Sequence, residues 1–362
     1  MPAVVTPEVQ QRIAYAVYQD VFNKRKPIAI DRKSMPWLSF LSKRKKSSGS
    51  NGGLTTVKLK KNGGLDMQFW ERRDVLGFAE QNIDLELEFG FANSHIGLEV
   101  VHEDLFKMGY TIEPNGPRGK SFAKPMAEDD ALRLVNYYEE LIEDGMDTYD
   151  VKLDVALLRD GSYDSRALVG LDGLINTTPT TGTIGGVSRT NELLQHTVYS
   201  GLTVTAAGTL RTKMQQARRA ANLNSRGRGG SGVDFLMCGA AFLDGYQAFA
   251  TANNWSVNTQ AKGTPSLDIG IPESGYEFEG IPLVWNPSFE VLDTLESASP
   301  TWTKRCYMLN SKTWEFQYME GYDKKFSAPL DSSDQRVSRM SLDGRHRLFC
   351  TVPNANALVS IA

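Results

Sequence analysis

The chain has 362 residues, 41% of them hydrophobic, 23% charged and 10% aromatic, with a formal net charge of −3. That length allows two or three compact units, and the composition excludes bulk disorder. No apolar run approaches the ~20 residues of a membrane helix, and the opening Met-Pro-Ala-Val-Val-Thr-Pro-Glu lacks the basic-then-apolar order of a secretory leader.

The placement of charge says more than its sum. Lys24 to Lys61 holds twelve bases and one acid, Asp31, whereas Ala127 to Asp160 holds eleven acids and three bases. Every copy would carry both patches, so the chain is self-complementary. The cysteines, Cys238, Cys306 and Cys350, are odd in number, and two lie in apolar strand-like runs. They are expected to be buried thiols in a chain folded in a reducing cytoplasm.

In chain order, Ile13, Val17 and Val21 give residues 7–23 a short helical period. Met35 to Leu41 is a compact apolar anchor. Lys43, Arg44, Lys45 and Lys46 then open a basic, flexible stretch running to Gly53. Three destinations are open for that run: a neighbour's acidic helix, solvent, or nucleic acid phosphates.

Next come two strictly alternating segments, Thr55 to Lys60 and Gln81 to Phe91. One carries lysines on its polar face, Lys58 and Lys60, and the other carries Asp84, Glu86 and Glu88. They predict a long hairpin with Lys across from Asp and Glu, and an aromatic and charged tip around Trp70. A two-stranded hairpin is marginal in water, so Val57, Leu59, Leu85 and Leu87 are expected to bury against another subunit.

His95 to Val101 alternates weakly, and Pro114 to Pro125 is a break. The longest helix is expected over residues 127–159. Leu132, Val135, Leu141, Val151, Val155 and Leu158 would form its apolar stripe, with Glu139, Glu140 and Glu143 among the acids facing a partner. Gly145 interrupts it, either as a close-packing point or as a bend point. Gly161 is placed to end it.

Gly170-Leu171-Asp172-Gly173-Leu174-Ile175 and a Thr/Gly/Pro tract follow. Then come a helix over residues 208–223, a Gly-rich loop, a buried strand at Val233 to Cys238 and a helix over residues 241–252. From Leu267 on, the chain reads β, closing with Arg336 to Met340 and His346 to Val352.

Chemistry-bearing motifs are weak. Gly227-x-Gly229-x-x-Gly232 matches a dinucleotide fingerprint in spacing, but a helix precedes it and a strand follows, the reverse of what phosphate binding needs. His95, His102, His196 and His346 make no metal-ligand spacing, and no Gly-x-Ser-x-Gly elbow supports a triad. No enzyme activity, cofactor or metal is expected.

The order of the parts resembles the major capsid protein of tailed bacteriophages, the HK97-type fold. The stretches that carry the resemblance are Thr209 to Asn253, Phe278-Glu279-Gly280-Ile281-Pro282-Leu283-Val284, and Asp334 to Val337 with Asp343 to Leu348 and Pro353. The resemblance implies an α+β chain with an N-terminal arm (1–50), an extended β-hairpin E-loop (51–95), a P-domain (96–184 and 326–362) with a spine helix at about 127–160, and an A-domain (185–325). It implies hexamers and pentamers closing an icosahedral capsid around double-stranded DNA, without sequence-specific binding. The virion capsid would be the protein's place. Partners would be a portal protein and in some members a decoration protein; with only some fifty residues before the hairpin, the resemblance implies either a separate scaffolding protein or a processed product that begins with Met. An encapsulin-type compartment holding cargo protein is the alternative with the same fold. Lys58, Lys60 and Lys61 are the candidate lysines for the covalent crosslinks of some members, but no motif marks the asparagine, and crosslinking is not expected.

Overall fold

The computed structural model describes every residue except 1–2, 6–10, 18–34, 50–53, 61–68, 70–83, 104–109, 113–127, 206–207, 226–231, 254–272 and 332–336. Two sheets organise it, and a long helix runs across one of them.

The first sheet has six strands in the order β11 (Glu273–Phe278), β12 (Ile281–Trp285), β10 (Phe235–Cys238), β13 (Arg305–Leu309), β17 (Ala357–Ile361) and β9 (Thr197–Leu202). The middle strands β10, β13 and β17 are buried at every position, which explains why they read as near-continuous apolar runs rather than alternations. Their side chains still sort by the two-residue period. Leu236, Cys238, Cys306, Met308 and Val359 join one apolar cluster with Met214 and Ala217 of the helix Leu210–Ser225 and Phe242 and Phe249 of the helix Ala240–Ala252. Phe235, Met237, Tyr307, Leu309 and Leu358 join the larger cluster on the other face, with Phe289, Leu292 and Trp302. All three cysteines are buried free thiols, as expected.

The second sheet is built on the 14-residue strand β16 (Val337–Cys350). β15 (Lys325–Asp331), β14 (Trp314–Met319) and β5 (Ala92–Val101) pair with it antiparallel, and β2 (Lys45–Ser48) lies parallel to β14. The sheets divide the chain differently from the expected ranges. β14 lies before residue 326 but belongs to the second sheet, and β17 lies after it but belongs to the first. Thus the chain crosses between the sheets once more than the ranges implied by the resemblance would have it.

The long helix, Glu128–Leu158, matches its expected span within a residue or two. Its buried stripe agrees in part. Val155 and Leu158 are buried and Val135 and Leu141 pack against the core as expected, while Val151 is 48% exposed. Tyr138, Ile142, Met146, Tyr149, Leu153 and Leu157 are also buried, two of them tyrosines that a count of aliphatics misses. At the helix end, Leu157 O accepts from Trp37 Nε1 at 3.1 Å and Arg159 O accepts from Gly170 N at 2.9 Å, so carbonyls that a helix terminus leaves orphaned find donors from distant chain. Gly161 follows at φ 85°, the left-handed conformation that ends the run.

Candidate assembly surfaces

The hairpin forms as its charges predict. β3 (Thr55–Lys60) and β4 (Asp84–Phe89) pair antiparallel, with Val57 opposite Leu87, Lys58 opposite Glu86, Leu59 opposite Leu85 and Lys60 opposite Asp84. Lys58 Nζ lies 2.8 Å from Glu86 Oε1. The apolar face corrects the expectation. Leu87 is wholly buried, Val57 and Leu59 nearly so, and Leu85 partly, all within the chain's own core. The cover comes from elements the local pattern does not show. Glu88 N donates to Gly185 O at 3.1 Å, which brings the turn between Thr183–Ile184 and Val187–Ser188 against β4. Phe89 stacks on Phe349 of β16 with centroids 5.5 Å apart. Trp70 and nearly all of the tip lie outside the described residues; Phe69 is 88% exposed.

The basic run is also drawn inward. Residues 45–48, expected to be flexible, form an edge strand. Lys45 pairs with Asp323 and lies over the Tyr318 ring, 4.9 Å from its centroid. Lys46 Nζ lies 3.3 Å from Glu315 Oε1, and the Arg44 guanidinium stacks over Phe40 at 4.5 Å. Just before them, the apolar anchor is the helix Pro36–Ser42. Trp37 and Phe40 are fully buried, against Trp314 at 5.2 Å and Phe235 at 4.4 Å respectively. The arm is therefore wedged between the two sheets. The charges of Lys45 and Lys46 are answered within the chain, because β14 and the turn after it present acids beside the strand that the arm adds.

The acids of the long helix at residues 139–147 lie on its outer face. Glu140, Glu143, Asp144 and Asp147 are exposed and Glu139 is partly so. Gly145 is buried where this helix crosses β5. A Cβ there would sit 2.8 Å from Leu98 Cδ1 and 2.9 Å from its Cδ2. The helix is continuous through it. Close approach is thus the immediate reason for glycine, and bending as a shell matures stays a proposal. Gly145→Ala is expected to melt within about 1 kcal/mol of the parent, because the gain in helix propensity offsets the displacement of the end of Leu98. Gly145→Val should lose about 1–3 kcal/mol by overpacking. Thermal melts of the two variants check this, and a Val variant as stable as the Ala variant would contradict it.

Two buried polar clusters were not read from the sequence. In the first, the carboxylate of Asp154 is fully enclosed. Oδ1 accepts from Leu38 N at 2.9 Å and Oδ2 from Ser288 Oγ at 2.6 Å. It caps the first turn of the Pro36–Ser42 helix, whose own N-cap residue, Met35, supplies no side-chain acceptor. Burial pushes its pKa up to about 6, partly countered by those two hydrogen bonds. The signal was available: Asp154 falls between Leu153 and Leu157 on the apolar side of the helix.

The second cluster joins five elements. Ser94 Oγ lies 2.5 Å from Tyr149 OH, and Tyr149 OH lies 3.5 Å from His346 Nδ1. His346 Nε2 lies 3.4 Å from Asp323 Oδ1, which also binds Lys45. Lys324 Nζ closes onto Asp150 at 2.5 Å. Burial lowers the His346 pKa, so the ring is neutral at pH 7 and packs flat on Phe316 at 5.4 Å. Against the burial that would raise it, Asp323 is drawn down to about 2 by His346 and Lys45. A neutral ring can still donate from Nε2 to Asp323, and the lysine adds its charge and its own hydrogen bond. The cluster binds the arm to the long helix and to β16.

Among the described residues, no group of three or more His, Cys, Asp and Glu side chains is placed to hold a metal ion, and no helix is long and apolar enough to cross a membrane. Gly227 and Gly229 lie outside the described residues. Gly232 has φ 71°, and the next residue's N–H donates to Asn222 Oδ1 at 2.8 Å, so this end of the loop is tied back to the preceding helix.

No protein-family model matches the sequence, and no curated protein does. Solved structures do. The chain is similar to the capsid asymmetric unit of cyanophage A-1(L), with a TM-score of 0.60 and 14% identity over 90% of this chain and 92% of that one. It is similar to a chain of Mycobacterium phage Bobi, with a TM-score of 0.51 and 11% identity over 90% of each. The holo-SrpI encapsulin complex from Synechococcus elongatus PCC 7942 overlaps more loosely, with a TM-score of 0.48 and 11% identity over 89% and 86%. The two sheets, the long helix across β5 and the hairpin folded back on β16 thus make up an α+β chain of the HK97-type capsid fold.

Proposed function

We propose that this protein is the building block of a bacteriophage capsid, assembling into hexamers and pentamers of an icosahedral shell around double-stranded DNA. The observation that carries the reading is the match to the cyanophage capsid subunit across nearly the whole of both chains. The described surface is in keeping with it: a 31-residue helix shows an acidic outer face, and the polar clusters knit the arm to the body instead of forming a reaction centre. In this reading the division into N-terminal arm, E-loop, P-domain and A-domain follows the sheets, with residues 314–319 in the P-domain and residues 357–361 in the A-domain. A portal protein and a separate scaffolding protein complete the assembly, and the shell is the protein's place in the virion.

Electron microscopy of the purified protein, with nucleic acid and protein content measured on the same particles, tests the proposal. Closed shells that hold DNA in the infected host, or empty shells on expression alone, are expected. Shells filled with a single cargo protein would transfer the reading to an encapsulin-type compartment. A monomer at every concentration would end it.

A further inference from the structure

Among the described residues of the basic arm, Lys45, Lys46 and Arg44 are engaged by Asp323, Glu315 and Phe40 of the same chain. A different basic surface is present. Between Glu192 and Asp234 the chain has no acid, and it carries Arg211, Lys213, Arg218, Arg219, Arg226 and Arg228. The first four lie on the helix Leu210–Ser225, which turns Leu210, Met214, Ala217 and Ala221 to the first sheet. Arg211, Gln215 and Arg218 with Arg219 follow at i, i+4 and i+7 with i+8, one stripe along a flank. Arg211 and Arg219 are exposed. Arg218 is half-buried and reaches Glu279 Oε2 at 2.6 Å, which fixes its direction along that flank.

We propose that this basic stripe is an interface whose occupant is the acidic face of the long helix on a second copy of the chain. Three points carry this choice. The charges are complementary: Glu140, Glu143, Asp144 and Asp147 lie on the exposed face of one helix, and Arg211, Arg218 and Arg219, with Glu279 against Arg218, lie along the flank of the other. The spacings are close. Glu140 to Asp147 spans seven residues and the exposed Arg211 and Arg219 span eight, about 10.5 and ~12 Å at ~1.5 Å per residue, so helices laid side by side can pair near both ends. The helices also pack on different elements of the subunit. The basic one lies on β9 and β17, and the acidic one lies on β5, β16 and the Pro36–Ser42 helix. The pairing therefore falls between copies. Double-stranded DNA is the competing occupant of a basic stripe, and the test separates it.

The inference rests on the proposed shell-forming function, and a charge swap distinguishes its failure from the failure of that function. Variant one is Arg211→Glu with Arg219→Glu. Variant two is Glu140→Lys with Glu143→Lys and Asp144→Lys. Variant three carries all five changes. Assembly is followed by light scattering and electron microscopy against protein concentration at low and high salt. At ~0.05 M salt, variants one and two should each need roughly tenfold more protein for half-assembly, with the difference shrinking towards ~0.5 M salt as screening grows. Variant three should return to within about threefold of the parent, because every contact again joins opposite charges. Circular dichroism and melting temperature of the variants check that they are folded. If variant one assembles like the parent but its shells retain less DNA, and variant three does not differ from variant one, the stripe faces nucleic acid and the inference is overturned. If variant one assembles like the parent and retains DNA equally, the stripe is a solvated face and the inference is again overturned. If the parent itself forms neither shells nor capsomers, the proposed function fails instead.

Discussion

Arg305→Leu is expected to destabilise the subunit by about 3–5 kcal/mol, the usual cost of leaving a buried charge without its partner. Arg305 is almost wholly buried on β13. Nη1 donates to Asp172 Oδ1 at 2.9 Å, Nε donates to Pro300 O at 3.0 Å, and the guanidinium lies 4.4 Å over the Trp302 ring. Tyr307 OH donates to the same carboxylate oxygen at 3.1 Å. Burial pushes the Asp172 carboxyl up and Arg305 pulls it back. Without the cation, Asp172 must take a proton or draw in water, and the Gly170-Leu171-Asp172-Gly173 turn loses its tie to the first sheet. Asp172→Leu should cost a similar amount by stranding the arginine. The double variant should cost clearly less than the sum of the two, since neither charge then remains. Urea denaturation of the three variants measures this. A single-variant loss under 1 kcal/mol would show that water replaces the pair freely.

The second large effect is a pH dependence seated at Asp154. Its pKa is about 6 in the folded chain against 3.8 in the unfolded one, because burial disfavours the anion. The folded state therefore holds the proton more tightly. The group's favourable contribution is complete below pH ~4 and is lost as pH rises through about 6; above that the ionised form costs roughly 2–4 kcal/mol. Asp154→Asn should flatten this part of the stability profile between pH ~4 and 6. It should also match or exceed the parent at pH 7.5, because an amide can still accept from Leu38 N and donate to Ser288 Oγ. Asp154→Ala should lose about 2–3 kcal/mol at pH 7.5, since both donors are then buried without an acceptor. Stability measured at pH 4.5, 6 and 7.5 for the three proteins decides. An Asn variant with the parent's pH slope would locate the titration elsewhere. Asp323 gives the opposite sign: its pKa is held near 2, so its contribution is present at neutral pH and fades only as pH falls towards that value.

Much of the fold was legible because it is local. Strict alternation with lysine on one segment and carboxylates on the other gave the hairpin with Lys across from Asp and Glu, and the structure sets the register at Lys58–Glu86. The three-four spacing gave the long helix almost to the residue, and the apolar runs around Cys238 and Cys350 gave buried strands. The short helix Ser288–Leu295 and the last strand, Ala357–Ile361, went unread. Each is brief, and the strand is defined by partners at residues 305–308 and 197–202.

What covers each face was settled by the tertiary structure alone. Val57, Leu59 and Leu87 announce an apolar face, but the turn at Gly185 and the Phe349 ring that lie against β4 come from about 100 and 260 residues further along. The four bases at residues 43–46 announce charge, but whether they meet solvent, a neighbour or their own chain depends on β2 adding beside β14, which brings Lys45 to Asp323. Asp154 looked like one more acid on an acidic helix until the arm's Leu38 and the distant Ser288 closed over it. Sequence pattern specifies which residues share a face, because that follows from backbone geometry within a few residues. The identity of the opposing surface depends on contacts distant in sequence, and those exist only once the chain has folded.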